Sequence, residues 1–579
     1  MTMLTKWGAA LDRSCPLPEY PRPQLRRESF YNLNGVWDYA VTPSGDEPEV
    51  WDGEIVVPFS PEAPLSGAAR GPAKDEYLHY RRGFTLPEGF QKSRVLLHFG
   101  AVDQIAEVFV NGVSAAKHSG GYWPFSADIT SLLREGENIL RVTVRDNADD
   151  PTFAYGKQRY KRGGMWYTAQ SGIWQTVWLE SVPEVYVKSL RITPEFDEAR
   201  VRIELETALE SSAAITCDVR AADGSFVAGS WAKGGVCVVP LPGFRAWTPD
   251  DPYLYTLDIT CGEDRVESYF AMRKFSYVEL GGHKVFGLNN APLFHNGLLD
   301  QGYYPDGLLT PPSDEAMVND IETMKRCGFN MLRKHIKIEP LRWYYHCDRL
   351  GMIVWQDMVS GGQPYSFLHV SALPTLGKVD LPDQDAKPYG RSGVLSRARF
   401  RREMADTVRL LYNCPCIALW TVFNEGWGQF DALDMANELK KLDPTRFIDH
   451  ASGWQDQGYE EMKSRHIYFR PVKLKNDGRA LALTEYGGYI LAVDGHRWTD
   501  KVFGYRICRD SAALAHDYEK LMLGQVLPHI RKEGLTAAVY TQITDVEEEL
   551  NGLMTYDREV LKIPEETLWE INAALRFDA

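Results

Sequence analysis

The chain is short of positive charge. Its 64 Lys and Arg face 79 Asp and Glu, and the formal net charge of -15 argues against nucleic acid or an anionic membrane surface as a partner. Long apolar runs are also missing, since no segment approaches eighteen apolar residues and Met1 to Arg13 shows no basic stretch leading into an apolar one. Neither a membrane span nor a secretory leader is expected, and the cytoplasm is the default compartment. Cysteine is sparse: nine residues, an odd number scattered from Cys15 to Cys508, fit reduced thiols better than a disulfide framework. Cys414-Pro-Cys416 stands too isolated for a metal site, and the thirteen His residues include no His-X-His or carboxylate-His cluster at strand ends. No metal site and no cofactor are expected from that pattern.

What the chain has is length and aromatic side chains. With 579 residues, it is too long for one ordinary core, and three domains are the natural division. Residues 1–183 read as short strands broken by turn residues, among them Leu33–Tyr39, Arg94–Phe99 and Asn138–Val144, with Asn111-Gly112 as a hairpin signal. That is the pattern of a sandwich or jelly roll. Residues 184–276 repeat it on a smaller scale and suggest an immunoglobulin-like β-sandwich. From 277 to 579 strands alternate with helices. Ser313 caps a helix that opens on Asp314 and Glu315 and closes at Lys325, Arg326 and Gly328. Candidate strands at 292–296, 329–332, 352–355, 417–423, 446–450, 466–469, 480–484 and 537–542 give the eight of a (β/α)8 TIM barrel. The fold class expected is therefore multidomain, β and α/β.

Two of those strands end alike. Cys416-Ile-Ala-Leu-Trp-Thr-Val-Phe-Asn424-Glu425-Gly426 runs uncharged residues into one carboxylate and then glycine, and Ala480-Leu-Ala-Leu-Thr-Glu485-Tyr-Gly-Gly does the same. Each Glu alone reads equally well as a solvated strand end. Two carboxylates at the carboxyl ends of different barrel strands, flanked by Trp and Tyr, are what glycoside hydrolysis needs: a proton donor and a nucleophile or base. Between Gly361 and Leu395 some thirty-five residues rich in Pro and Gly replace a short strand-to-helix loop. A loop that long beside the two Glu strands is expected to form part of the pocket wall.

These residues carry a family resemblance over essentially the whole chain. Asp103-Gln-Ile-Ala-Glu-Val-Phe-Val-Asn-Gly, Ser171-Gly-Ile-Trp-Gln-Thr-Val-Trp-Leu and Phe423-Asn-Glu-Gly resemble glycoside hydrolase family 2, which holds β-galactosidases, β-glucuronidases and β-mannosidases. The resemblance implies that the first domain is a sugar-binding jelly roll. It implies Glu425 as acid/base, Glu485 as nucleophile, Asn424 as partner of the sugar 2-hydroxyl and Tyr468 as the phenol orienting the nucleophile. It further implies His335 as a pocket His, although the usual Ser-His-Tyr is absent, and Tyr540 where several relatives carry a Trp beneath the sugar. Trp454 and Asp300, the latter with Gln301, Tyr303 and Tyr304, are candidate substrate contacts.

Two departures bear on the substrate. Trp166 aligns with an Asp that contacts the distal side of the sugar in galactosidases and glucuronidases. Glu549-Leu550-Asn551 replaces the Asn-X-Lys with which glucuronidases pair a uronate, and a buried Glu there repels one. The activity implied is a retaining exo-β-glycosidase working by double displacement on a small glycoside or oligosaccharide, β-galactosidase-like with a neutral glycone. A β-uronidase for glucuronide or galacturonide and an arabinopyranosidase are the alternatives within the family. A non-catalytic carbohydrate-binding protein is the rival from another class. Glycone, aglycone, linkage and oligomeric state, homo-oligomer included, are left open, as is a structural cation.

Overall fold

The computed structural model describes residues 3–209, 214–376 and 380–577. Its first unit is a jelly roll of two antiparallel sheets. Gly35–Thr42, Gly53–Val57, Tyr77–Thr85, Ile105–Val110, Val113–Ser119 and Glu137–Arg145 form the larger, and Phe30–Asn32, Arg94–Phe99, Phe125–Asp128 and Val177–Val182 the smaller. Alternate residues of each strand turn inward, so Trp37, Tyr39, Tyr80, Leu97, Val142 and Leu179 meet in one buried layer. The hairpin signal is realised: Asn111 and Gly112 take φ of 51° and 83°, the pair of positive values that a two-residue turn requires. An immunoglobulin-like sandwich follows, its three-stranded sheet Val187–Glu195, Arg200–Thr207 and Val236–Pro240 facing a four-stranded one between Ile215 and Phe270.

A small sheet that the sequence did not announce joins this sandwich to the barrel. Phe275–Leu280, His283–Leu288 and Ala291–Pro292 pair antiparallel, and Phe286 projects from it to stack on Phe447 at 4.2 Å and meet the edge of Trp355 at 5.9 Å. It thereby plugs the amino end of the barrel. The strand expected at 292–296 is accordingly displaced. Pro292 has no N–H for a central ladder and ends the plug at its edge, while the first barrel strand begins at His295.

The barrel strands are β1 (His295–Asp300), β2 (Met331–Lys334), β3 (Ile353–Asp357), β4 (Ile417–Thr421), β5 (Phe447–Asp449), β6 (Met462–Ile467), β7 (Ala480–Gly487) and β8 (Leu535–Thr541). They lie parallel in the order β5-β4-β3-β2-β1-β8-β7-β6. Between β5 and β6 the seam is bridged by Ser464, whose hydroxyl donates to Asp449 Oδ1 at 2.7 Å and to the Ala451 carbonyl at 3.2 Å. Every residue of β4 and β7 is buried, as strands covered on both faces must be. The first barrel helix, α1 (Asp314–Arg326), starts where its cap predicts: Ser313 Oγ accepts from Ala316 N at 3.2 Å, a bond worth about 1 kcal/mol. In the long segment 361–395, residues 377–379 lie outside the described residues. The rest folds over the carboxyl end of β4, where the Tyr389 carbonyl accepts from Gly428 N at 2.8 Å and Leu381 N donates to Gln455 Oε1 at 2.7 Å.

Candidate active site

Backbone geometry at two strand ends brings the glutamates together. Past β4 the chain turns sharply, and Glu425 takes φ 54° ahead of Gly426 at 73°. The left-handed conformation, costly for a residue with a Cβ, is held because Glu425 N donates to the Ser452 carbonyl at 2.9 Å and Trp454 Nε1 donates to the Glu425 carbonyl at 2.9 Å. On the far side of the mouth, β7 slips register against β8 between Leu483 and Tyr486, and β6 slips against β7 between Arg465 and His466. Bulges of this kind re-aim side chains. They turn His466 and Glu485 toward Glu425, so that one ligand-type atom from each of the three lies within 4.8 Å of the others.

A polar frame fixes this trio. Arg333, fully buried, sends Nε and Nη2 to the two oxygens of Asp357, each at 3.0 Å. Its Nη1 reaches Glu485 Oε1 at 3.1 Å and its Nη2 also reaches Asn424 Oδ1 at 2.9 Å. Tyr468 donates to Glu485 Oε2 at 2.5 Å and lies 3.0 Å from Thr541 Oγ1, its ring stacked on Tyr505 at 4.0 Å. Burial works against the charge of Glu485, but His466, Arg333, His335 and the Tyr468 hydroxyl more than offset it and hold the carboxyl below its ordinary range. Burial lowers the His335 imidazole below its ordinary range, against the pull of Asp357 and Glu485. Its Nδ1 lies 2.7 Å from Asp357 Oδ2, and Nε2 has no hydrogen-bond partner among the described residues.

The mouth is completed by the jelly roll. Its segment 154–168 docks on three consecutive barrel residues: Thr168 N donates to Glu547 Oε1 at 2.8 Å, Gly164 N to Glu548 Oε2 at 2.9 Å, and the Tyr167 hydroxyl to Glu549 Oε2. Trp166, half-buried, meets Trp427 edge-on at 5.1 Å and has Arg159 over its face at 4.2 Å and Lys157 at 5.7 Å. The Lys157 ammonium has no hydrogen bond or ion pair among the described residues, yet it lies near enough to Glu549 and His335 to act on the charge of both. Burial raises the Glu549 carboxyl above its ordinary range.

Among the residues picked out from the sequence, Glu425, Glu485, Asn424, Tyr468 and His335 converge on one polar cluster joined through Arg333, Asp357 and His466. Trp454 stands beside it, edge-on to His466 at 5.6 Å, and Trp166 at the mouth. Tyr540 does not join them. Its ring points out of the barrel among Tyr486, Tyr518 and Gly487, and its hydroxyl accepts from Tyr489 N at 3.3 Å; the next residue, Thr541, faces inward. Asp300 is likewise no free rim group, because Lys334 Nζ holds its Oδ2 at 2.6 Å and Gly302 N its Oδ1 at 2.8 Å. Tyr303 and Gln301 are buried beneath the jelly roll and against Gln542, and Tyr304 lies under Arg558 at 4.1 Å. The sequence showed no spaced metal-ligand motif, but the fold assembles one imidazole and two carboxylates in Glu425, His466 and Glu485. A cation held there would occupy both carboxylates at once. His466, Asp357 and the orienting role of Arg333 were not read from the sequence.

Comparison with known proteins gives a consistent family. Residues 64–183 match the sugar-binding domain of glycosyl hydrolases family 2, residues 185–273 a further domain of that family, and residues 311–473 its TIM barrel domain. A β-galactosidase of Thermoanaerobacter pseudethanolicus is 25% identical over 387 residues, 63% of this chain and 47% of the relative. A β-glucuronidase of Paenibacillus borealis is 22% identical over 82% of this chain and 85% of the relative. This chain thus spans about half the length of the first β-galactosidases that it matches. Among solved structures, a β-glucuronidase of an uncultured Clostridium sp. superposes with a TM-score of 0.74 at 19% identity, covering 95% of this chain and 98% of the other. A β-galacturonidase of Eisenbergiella tayi does so at 0.71 and 19%, covering 97% and 100%. At such identities the structural likeness speaks for the fold alone.

Proposed function

The chain belongs to glycosyl hydrolase family 2, a glycosidase for β-linked sugars, and on that premise we propose that it is a retaining, exo-acting β-glycosidase in which Glu485 is the nucleophile and Glu425 the acid/base. One observation carries this reading: the facing carboxylate oxygens of the two residues lie within 4.8 Å. Retaining enzymes hold their carboxyl groups about 5–5.5 Å apart, whereas inverting ones need about 6.5–9.5 Å to admit a water. Glu485, kept ionised by Arg333 and Tyr468, attacks the anomeric carbon while Glu425 protonates the departing oxygen. Water, deprotonated by Glu425, then releases the sugar. Asn424, whose Oδ1 is engaged by Arg333, has amide hydrogens with no partner among the described residues and available to the 2-hydroxyl. The jelly-roll segment and the described residues of the 361–395 segment, folded over the carboxyl end of β4, support action on terminal sugars.

For the glycone, a neutral galactoside is the first reading, supported by the buried Glu549 in place of a cation. A uronoside is the second, and Lys157 is the specific observation that favours it: an unpaired ammonium at the mouth is chemically suited to a carboxylate. Aryl β-galactoside, glucuronide, galacturonide, mannoside, glucoside and arabinopyranoside assayed side by side separate the two, with the first anomer formed followed by NMR. Galactoside turnover with retention is expected. Inversion, or no turnover of any of the six, overturns the mechanism, and a uronoside cleaved much faster than galactoside, with loss of that preference in Lys157→Met, overturns the neutral reading.

A further inference from the structure

His466 has no part in the mechanism above, yet it is built into the centre of the site. Its side chain is fully enclosed, with Nδ1 2.8 Å from Glu425 Oε1 and 3.6 Å from Glu485 Oε2. Space for the ring comes from Gly453, with φ of 93° and with a position at which any Cβ would fall 2.6 Å from Nδ1. The chain behind the ring has a direction. The Arg465 carbonyl can only accept, so Thr484 Oγ1, 3.5 Å away, donates to it; Thr484 Oγ1 in turn accepts from Ser452 at 3.0 Å. Ser452 Oγ must then accept from His466 Nε2, 3.2 Å away, and Nε2 carries the ring hydrogen.

Nδ1 is thereby left facing a carboxylate oxygen at hydrogen-bond distance. With no proton between them two acceptors would oppose each other, and with two protons two donors would. One proton satisfies the contact, either as a carboxylic acid donating to neutral imidazole or as imidazolium donating to carboxylate. Resting on the hydrolytic reading above, we propose that His466 is a positioning residue that shares the acid/base proton of Glu425 and orients that carboxyl toward the glycosidic bond. In the first half-reaction the shared proton passes to the glycosidic oxygen as its bond to the anomeric carbon breaks and Glu485 bonds to that carbon. Nδ1 and Oε1 then confront each other as acceptors, which favours recapture of a proton from the attacking water as its oxygen displaces Glu485. The other ionisable groups facing the ring are Asp449 on β5, Tyr468 after β6, Glu485 on β7 and, behind Glu485, Arg333 on β2. None of them sits as close to Nδ1 as Glu425.

The test is His466→Asn, with Ser452→Ala as a milder variant that leaves the ring in place but removes its acceptor. In profiles of kcat/KM against pH on the best aryl glycoside, the alkaline limb of His466→Asn is expected to move to lower pH by about one unit, and that of Ser452→Ala in the same direction by less. The loss in His466→Asn should be at least about tenfold for a poor leaving group and slight for a dinitrophenyl one, which departs without a proton. An unmoved limb in both variants, with equal losses for all leaving groups, leaves His466 as mere filling and overturns the proposal. Imidazole 15N spectra need no turnover: wild type is expected to hold hydrogen on Nε2, with an Nδ1 signal that changes in Glu425→Gln, and a resting Nδ1–H tautomer that ignores Glu425→Gln overturns the pair. Wild type that cleaves no glycoside would sink the hydrolytic reading instead, while those spectra still decide the pair.

Discussion

Arg333 meets Glu485 through Nη1 alone, at 3.1 Å, while Nε and Nη2 clasp Asp357 at 3.0 Å each. Asp357 therefore decides where the guanidinium stands, and the guanidinium decides where Glu485 Oε1 stands. Asp357→Ala would strip the buried Arg333 of its two-point clasp and leave it the single contact to Glu485 as an ion pair, and urea unfolding is expected to show a loss of about 3–5 kcal/mol. Asp357→Asn keeps the shape but weakens the clasp; it should lower kcat by roughly 10²-fold with a smaller loss of stability. An Asn variant with wild-type kcat would detach Asp357 from the chemistry.

Glu485→Ala is expected to abolish turnover of every substrate. Glu425→Ala should stay partly active on substrates with good leaving groups and be rescued by azide, because azide opens the glycosyl-enzyme without a base. Rescue of Glu485→Ala to an inverted azide product, with none for Glu425→Ala, would exchange the two roles.

Trp166, edge-on to Trp427 and half-buried at the mouth, offers a ring face where a carboxylate would offer hydrogen bonds. Trp166→Ala should raise KM by roughly 3–10-fold, the loss of one stacking contact, with little change in the thermal midpoint. If stability falls and the kinetics stay intact, the ring serves only to join the two domains.

Glu403 lies in the helix Val394–Leu411, where that helix meets the jelly roll through Trp123 Nε1 and Thr407 Oγ1, 3.1 Å apart. Burial pushes its carboxyl up to about 8, although Arg399, Arg391 and Arg402 work against the shift. The folded state thus keeps a proton that the unfolded chain gives up near its ordinary value of 4.5. The stability this contributes is full below that value and lost as pH rises through about 8. Glu403→Gln, which cannot ionise, should therefore gain in thermal midpoint over wild type between pH values of about 5 and 9. An advantage that does not grow with pH refutes the neutral carboxyl.

The convergence of Glu425 and Glu485 was legible in the sequence because β4 and β7 are buried on both faces, so a lone charge at the end of an apolar run has only the open end of the barrel to go to. The same burial hid the orientation of Tyr540. Where both faces are apolar the alternation that tells inside from outside disappears, and only the packing against Tyr518 shows that Thr541, not Tyr540, looks inward. Asp300 misled for another reason: nothing in Leu298 to Tyr304 announces that Lys334 will neutralise it from the neighbouring strand. His466 was illegible because its setting is assembled from Ser452-Gly453 and Thr484, on two stretches apart from its own, and because a bulge reverses the side it would otherwise face.

The clasp of Glu547, Glu548 and Glu549 on Thr168, Gly164 and Tyr167 gives selection two separate handles. The acid chemistry proposed lies wholly in the barrel, on elements whose burial leaves little freedom to vary, whereas the segment docked beside it belongs to another domain. On that reading, changes between residues 154 and 168 reshape the approach without touching Glu425 and Glu485. Descendants of such a chain could turn to new sugars by drift in a sandwich that performs no reaction, and the reacting centre would bear no trace of it.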